Sequence, residues 1–385
     1  MSQDGSGIRR EDLNGTFAME QNERIPSTKR DERGKQALEW GLESAASIRD
    51  RKIPLFNRSR RGYHHGGQFM DVPFLTDMRE LGGQDLAFMG VPLDCGTTNR
   101  PGTRYGPQAL RRSSGHGYNP EIGVDLGASL DMIDVGDVTV IPANIEKSFD
   151  QIALGIGYLH ERGVFPVVLG GDHSIGYPDI RGIAPYIDGN VGIIHFDRHS
   201  DLAEYSLDER MHGSPFFHAT NIPNAPATNL VQIGIGGFTG MYDGLRVARD
   251  RRATVITLDD VDRYGVERVA EYALEIAWKD AKAVFLSFDI DSVDPAFAPG
   301  TGTPEPGGFL PREVLRLLRL VTREGLIGME LVEVSPPYDV SDITALLGAR
   351  VIKEVLATLV LNGKLGQAPS GAAAEEPAQP SQLHP

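Results

Sequence analysis

The feature that most restricts this chain is a series of short, continuous apolar runs separated by stretches of helical periodicity. From Asp85 onward the runs are DLAFMGV (85–91), DMIDVGD (131–137), FPVVLGG (165–171), VGIIHFD (191–197), LVQIGIGG (230–237), TVITLDD (254–260), AVFLSFDID (283–291) and LIGMELVEV (326–334). Several are apolar at consecutive positions, the mark of strands covered on both faces. Between them, IEKSFDQIALGIGYLHERG has apolar residues at helical spacing and a stop at Gly163. REVLRLLRLVTREG and ALLGARVIKEVLATLVLNG follow the same pattern. Strands alternating with helices predict one α/β domain on a mainly parallel sheet, with no internal repeat. Residues 1–80 read as a polar N-terminal arm with one helix near 31–51, residues 81–365 as the domain, and the Pro-, Ala-, Gly- and Ser-rich 366–385 as a disordered tail.

Charge narrows the function classes. A formal net charge of −15 excludes a general nucleic-acid or acidic-membrane binder, which needs a basic face, but suits a cationic small molecule. The one cysteine, Cys95, forms no internal disulfide. No apolar stretch approaches a membrane span, and the polar N-terminus lacks a signal-peptide core. The expectation is a cytoplasmic protein.

Four of the runs end in chemistry. FPVVL leads into GGDHS with His173; VGIIHF leads into DRHSD with Asp197, His199 and Asp201; FLSF leads into DIDSVDP with Asp289 and Asp291; MELV leads into EVSPPYD with Glu333. Ligands of open α/β sheets bind beyond the carboxyl ends of the strands, so these endings are expected to face one crevice. Residues two apart on an extended segment share a face, which groups Asp197, His199 and Asp201, and likewise Asp289 with Asp291. With His173 the set is two imidazoles and four carboxylates. Like charges so close force protonation unless cations intervene. Two divalent metals balance four carboxylates; the donor set suits Mn²⁺, with Ni²⁺, Co²⁺ or Fe²⁺ as alternatives. A lone DxD or GGDH is usually a loop or turn, and it is the recurrence at successive strand ends that points to a metal centre.

The motifs GGDHS, DRHSD, SFDIDSVDPAFAPGTGTPEPGG and EVSPPYD resemble the signatures of the ureohydrolases, the arginase and agmatinase family. GVPLDCGTTNRPGTRYGP (90–107) and SDITALLGA (341–349) are similar to its agmatinase-like branch. The resemblance covers roughly residues 70–363. It implies an arginase-like three-layer α/β/α sandwich with a parallel eight-stranded sheet, commonly trimeric or hexameric. It also implies that His173, Asp197, Asp201 and Asp289 hold one metal and His199, Asp197, Asp289 and Asp291 the other, Asp197 and Asp289 bridging. The family's metals are Mn²⁺ or, in a guanidine hydrolase branch, Ni²⁺. The implied reaction is attack of metal-bound hydroxide on a guanidino carbon, releasing urea plus amine or ammonia. Glu333 matches the family's guanidinium-binding carboxylate, expected to grip the fork bidentately. His212, in MHGSPF, matches the histidine that orients substrate or shuttles protons, and Thr97, Thr98 and Asn99 lie in a loop that approaches the substrate.

Other residues read more plainly. His195 is expected to be a hydrogen-bonded core neighbour of the ligands, Asp172 a structural partner, and Asp294 a turn former. GIGGFTG (234–240) is a tight loop whose third glycine is misplaced for dinucleotide binding, and Cys95 is a small loop or core residue. Arg198 stands where DAHTD-type members carry Ala; its side chain is expected to leave the metal face for packing or a subunit contact. SLDERMHGSPFFHATNIPNAPATNL and the long arm look closer to guanidine and metformin hydrolases than to short agmatinases. Phe216, Phe217 and His218 are expected at the pocket rim. No acidic residue is assignable to a distal substrate ammonium, so guanidine or a short alkylguanidine is expected over agmatine. The competing readings are an agmatinase proper, a biguanide hydrolase subunit giving guanylurea, a single-zinc deacetylase, and a poorly active subunit of a hetero-oligomer.

Overall fold

The computed structural model describes residues 56–57, 67–204, 210–238 and 242–366. The arm helix expected near 31–51 and nearly all of the expected tail lie outside these residues. Eight parallel strands form the sheet: β1 (Leu86–Gly90), β2 (Met132–Val138), β3 (Phe165–Leu169), β4 (Asn190–Phe196), β5 (Leu230–Ile235), β6 (Thr254–Thr257), β7 (Ala281–Asp289) and β8 (Gly328–Val332). Their spatial order is 2-1-3-8-7-4-5-6, and a two-residue strand, Phe56–Asn57, adds antiparallel to β2 at the edge. The predicted eight-stranded parallel sandwich is therefore present.

Alternate residues of each strand enter opposite layers, as the pleat requires. On β4, Val191 and Ile193 join one core with Phe149, Ile152 and Ile180 of helices Ile145–Glu161 and Gly176–Ile183. Ile194 and Phe196 join the other with Leu274, Leu317 and Val351 of helices Leu258–Ala277, Pro311–Thr322 and Ile343–Leu361. Both faces are buried, which is why the strands are apolar throughout.

Helix ends follow local capping chemistry. Asn144 Oδ1 accepts from Lys147 N at 2.8 Å at the start of Ile145–Glu161, and Gly163, at φ 72°, follows its end. The run 254–260 was expected to be all strand, but β6 stops at Thr257. There Asp260 N donates to Thr257 Oγ1 at 3.2 Å and Thr257 N donates to Asp260 Oδ2 at 3.0 Å. This reciprocal capping box begins a helix where apolar content alone suggested a strand. Residues 67–80, assigned by sequence to the arm, pack into the domain: Phe69 is buried and stacks on Phe88 at 4.4 Å, and the Tyr158 hydroxyl donates to Met78 O at 2.8 Å.

Candidate metal centre and substrate pocket

β3, β8, β7 and β4 are consecutive neighbours in the sheet. Their carboxyl ends therefore open on one crevice, and the loops that leave them carry all four motifs.

The chain does not stay extended there, contrary to the assumption behind the parity grouping. β4 ends at Phe196, and residues 290–292 form a 3-10 turn. What orders the ligands is a repeated device in which a strand-end aspartate accepts the N–H two residues on. Asp197 Oδ1 accepts from His199 N at 2.6 Å, Asp289 Oδ1 from Asp291 N at 2.8 Å, and Asp172 Oδ1 from Ser174 N at 3.0 Å. Each turn folds the next functional residue back over the strand end. The same D-x-H and D-x-D spacings serve both the turn and the site. GGDHS also needs its second glycine, since a Cβ on Gly171 would lie 1.9 Å from Leu93 O.

Asp197, Asp201 and Asp289 each place an Oδ2 at 3.0 Å from His173 Nδ1. Nδ1 is nonetheless buried without a hydrogen-bond partner among the described residues, because none of these contacts has hydrogen-bond geometry. Its ring partner Nε2 lies 2.8 Å from Ser287 Oγ. A histidine held through Nε2 with three carboxylates gathered around an orphaned Nδ1 fits a cation position. A second group joins Asp197, His199 and Asp291, with His199 Nδ1 at 3.0 Å from Asp291 Oδ2 and 3.4 Å from Asp197 Oδ1. Asp197 thus belongs to both groups, one oxygen toward each. Asp289 reaches the first group through Oδ2, while its Oδ1 takes the Asp291 N–H.

The electrostatics make the same point. Burial, then Asp291 and Asp197, push the Asp289 carboxyl well above its ordinary range, and burial with the Asp197 charge raises Asp201. Burial opposes charge on His173 and His199, but the carboxylates outweigh it and raise both. Divalent cations relieve this crowding without protons.

His195 touches the centre from beneath. Its Nε2 lies 2.8 Å from Asp197 Oδ2 and its Nδ1 2.9 Å from Gln232 Nε2. A Gln232 donor makes Nδ1 the acceptor, so His195 donates through Nε2 to Asp197. Phe216 was expected at the rim but is fully buried, its ring 5.4 Å from that of His173 and 4.2 Å from that of His195. Phe217 lies under Arg251, and His218 packs toward Tyr177. Phe216 thus packs against His173 and His195 beneath the centre, while Phe217 and His218 pack on Arg251 and Tyr177.

The rim is the 96–100 loop against residues 302–303 and 333–338. His212 N donates to Gly96 O at 3.0 Å, and Gly96 N donates to Asp172 Oδ2 at 2.8 Å, which gives Asp172 its structural part. His212 Nε2 lies 2.7 Å from Thr98 Oγ1, and Nδ1 lies 3.0 Å from Glu333 Oε1. Burial alone would lower His212, but Glu333 raises it to about 9; Thr98 N–H donates to Nε2 at 3.2 Å, which leaves the proton toward Glu333 on Nδ1. Glu333 sits at φ 65°, and its Oε1 also accepts from His173 N at 2.9 Å. Its Oε2 is buried and has no partner among the described residues; neither has Thr97 Oγ1. Both residues flank Gly302, whose Cβ position is 3.4 Å from Glu333 Oε2 and 4.0 Å from Thr97 Cγ2. Glu333 therefore offers a guanidinium one free oxygen, not the bidentate pair expected. Asn99 Nδ2 donates to Gly302 O at 3.1 Å and ties the two rim loops together. Burial, then the Asp172 charge, push the Cys95 thiol up to about 12, which disfavours the thiolate.

Arg198 leaves the metal face as expected. It is 3% exposed, with Nη1 donating to Gly234 O at 2.8 Å and Nη2 to Pro306 O at 3.3 Å. Sequence reasoning missed the parts played by Ser287 and Gly302, which sit unremarked inside SFDIDSVDPAFAPGTGTPEPGG, and by Gln232, an interior residue of a strand run.

The arginase family description matches residues 84–358. The chain is 39% identical over 281 residues to the mitochondrial guanidino acid hydrolase of Homo sapiens, covering 72% of this chain and 79% of that one. Over 281 residues it is also 39% identical to the mitochondrial agmatinase of Gallus gallus, covering 72% and 82%. Among solved structures, proclavaminate amidinohydrolase from Streptomyces clavuligerus superposes with a TM-score of 0.70 at 35% identity, covering 80% of this chain and 98% of that one. Family members use a binuclear metal centre, and the donor groups found here fit one. The chain is an arginase-family ureohydrolase of the agmatinase-like branch.

Proposed function

We propose that the protein hydrolyses guanidine or a short alkylguanidine to urea and ammonia or amine, using two Mn²⁺ or Ni²⁺ ions. The observation that carries this reading is the position of the free acceptors. Glu333 Oε2 and Thr97 Oγ1 are buried without a partner among the described residues, both beside Gly302, where the guanidinium would sit. No carboxylate for a distal ammonium stands at the described rim. Arg100 is exposed there instead, its guanidinium 5.2 Å from the centre of the Tyr338 ring. A cation at the mouth opposes an agmatine ammonium, which would also lose hydration on entry.

His173, Asp197, Asp201 and Asp289 would hold one ion, and Asp197, His199 and Asp291 the other. When bound, the ions supply Lewis acidity and lower the pKa of a water toward neutrality. Glu333 Oε2 holds the guanidinium plane, and Thr97 Oγ1 orients one of its N–H groups. Water adds to the central carbon and one C–N bond breaks. The departing nitrogen needs a proton, and His212 holds one at Nδ1 beside Glu333. Phe216 and the buried strand ends exclude other water from beneath.

The rim cation also favours a second reading, a guanidino acid whose carboxylate pairs with Arg100. Two relatives are named for a guanidino acid and for agmatine. The proposed setting is a cytoplasmic trimer or hexamer. The test is urea release from guanidine by protein loaded with Mn²⁺ or Ni²⁺, with Asp197→Ala as control. Urea from the native protein and none from the variant is expected; no urea from any guanidino compound would overturn the reading.

A further inference from the structure

One level beneath the ligands, a row of polar side chains crosses four adjacent strands. Glu330 of β8 pairs in register with Ser287 of β7, Ser287 with His195 of β4, and His195 with Gln232 of β5. All four are fully buried. At the Gln232 end the amide nitrogen donates to His195 Nδ1 and His195 donates to Asp197, while Gln232 Oε1 is buried without a partner among the described residues. At the other end Glu330 faces Asp179, buried in helix Gly176–Ile183 directly after the His173 turn, and all four carboxyl oxygens lack a hydrogen-bond partner among the described residues. Gly176 leaves room for this approach, as its Cβ position lies 2.9 Å from Glu330 Oε1.

Two ionised carboxylates cannot face each other there without a cation or a proton, and among the described residues no lysine or arginine hydrogen-bonds to either. Burial, then Glu330, push Asp179 well above its ordinary range against His173; burial raises Glu330, with His173, Ser287 and Asp179 pulling it back. We infer that Asp179 carries a proton that it donates to Glu330, and that Glu330 thereby accepts the Ser287 hydroxyl and fixes His173 as its Nε2–H tautomer. The order of donation is Asp179 to Glu330, Ser287 to Glu330, and His173 Nε2 to Ser287 Oγ at 2.8 Å. The His173 Nδ1 lone pair is then directed among the three aspartates. Asp179, Glu330 and Ser287 are positioning residues that touch neither substrate nor metal. The inference rests on His173 as a ligand but on no choice of substrate.

The test uses metal-loaded protein and two readouts. Infrared difference spectra of native protein against Asp179→Asn should show the carbonyl stretch of one un-ionised carboxylic acid, absent from the variant. Asp179→Asn keeps a donor toward Glu330 and should hold both metals with affinity within a few-fold of native. Glu330→Gln turns the acceptor into a mixed donor and should weaken one of the two metals by roughly 10–100-fold. The absence of an un-ionised carboxyl band would overturn the inference, as would equal metal affinities in native protein and Glu330→Gln. The infrared band is read whether or not any guanidino compound is turned over, so failure here is separable from failure of the substrate reading.

Discussion

His212 Nδ1 stands 3.0 Å from Glu333 Oε1, while Glu333 Oε2, in the same carboxylate, has no partner among the described residues. The His212 Nδ1–H therefore occupies one oxygen, and the other is free for the proposed guanidinium. This arrangement joins the proposed proton donor and substrate anchor in one hydrogen-bonded pair. His212→Asn should lower turnover roughly 10²–10⁴-fold with metal content unchanged. Turnover equal to native would remove His212 from the reaction.

The same pair predicts a pH signature in stability. The folded value of His212 is raised from 6.5 to about 9. Its contribution is then fully present below about 6.5 and is lost as pH rises through about 9. The melting-temperature gap between native protein and His212→Asn should be widest near neutral pH and below and should narrow toward pH 10. A gap that widens with pH would contradict the charge assignment.

Asp197 turns one oxygen to each ligand group. Asp197→Ala should lose both metals, whereas His199→Ala should keep the one at His173. Elemental analysis is expected to give about two ions per native chain. Equal losses in the two variants would show that the groups do not divide as described.

A side chain on Gly302 would intrude on the space proposed for the guanidinium. Its Cβ position is 3.1 Å from Arg100 O and 3.4 Å from Glu333 Oε2. Gly302→Ala should raise KM about 10-fold or more and change kcat less, since one methyl in a closed pocket costs roughly 1–3 kcal/mol. An unchanged KM would place the guanidinium elsewhere.

The ligands were legible because ionisable residues interrupt apolar runs at the strand ends, where a neutral core has no use for them. His173, Asp197, His199, Asp201, Asp289 and Asp291 all come together, although the chain turns at Asp197 and Asp289 instead of staying extended. A D-x-H spacing fits both an extended strand and an aspartate turn, so the six residues converge although the same-face sets divide: Asp201 and Asp289 fall with His173, and His199 and Asp291 form the second group with Asp197. Phe216 went astray because its own segment does not encode which way a short helix faces. That direction is set by packing on His173 and His195, far away in the chain. Ser287 and Glu330 look like ordinary strand residues until the register places them side by side. The β6 boundary at Thr257 was hidden because a Thr-x-x-Asp box is compatible with a strand until its side chains are seen to bond back.

The substrate reading is the account's central claim, and one comparison tests it most directly. Values of kcat/KM for guanidine, methylguanidine, agmatine and guanidinobutyrate should be measured on the same protein with Mn²⁺ and with Ni²⁺. The account predicts guanidine or methylguanidine ahead of agmatine under at least one metal, because the anchor recognises only the guanidinium end and Arg100 opposes a second cation at the rim. A clear preference for agmatine under both metals would contradict it.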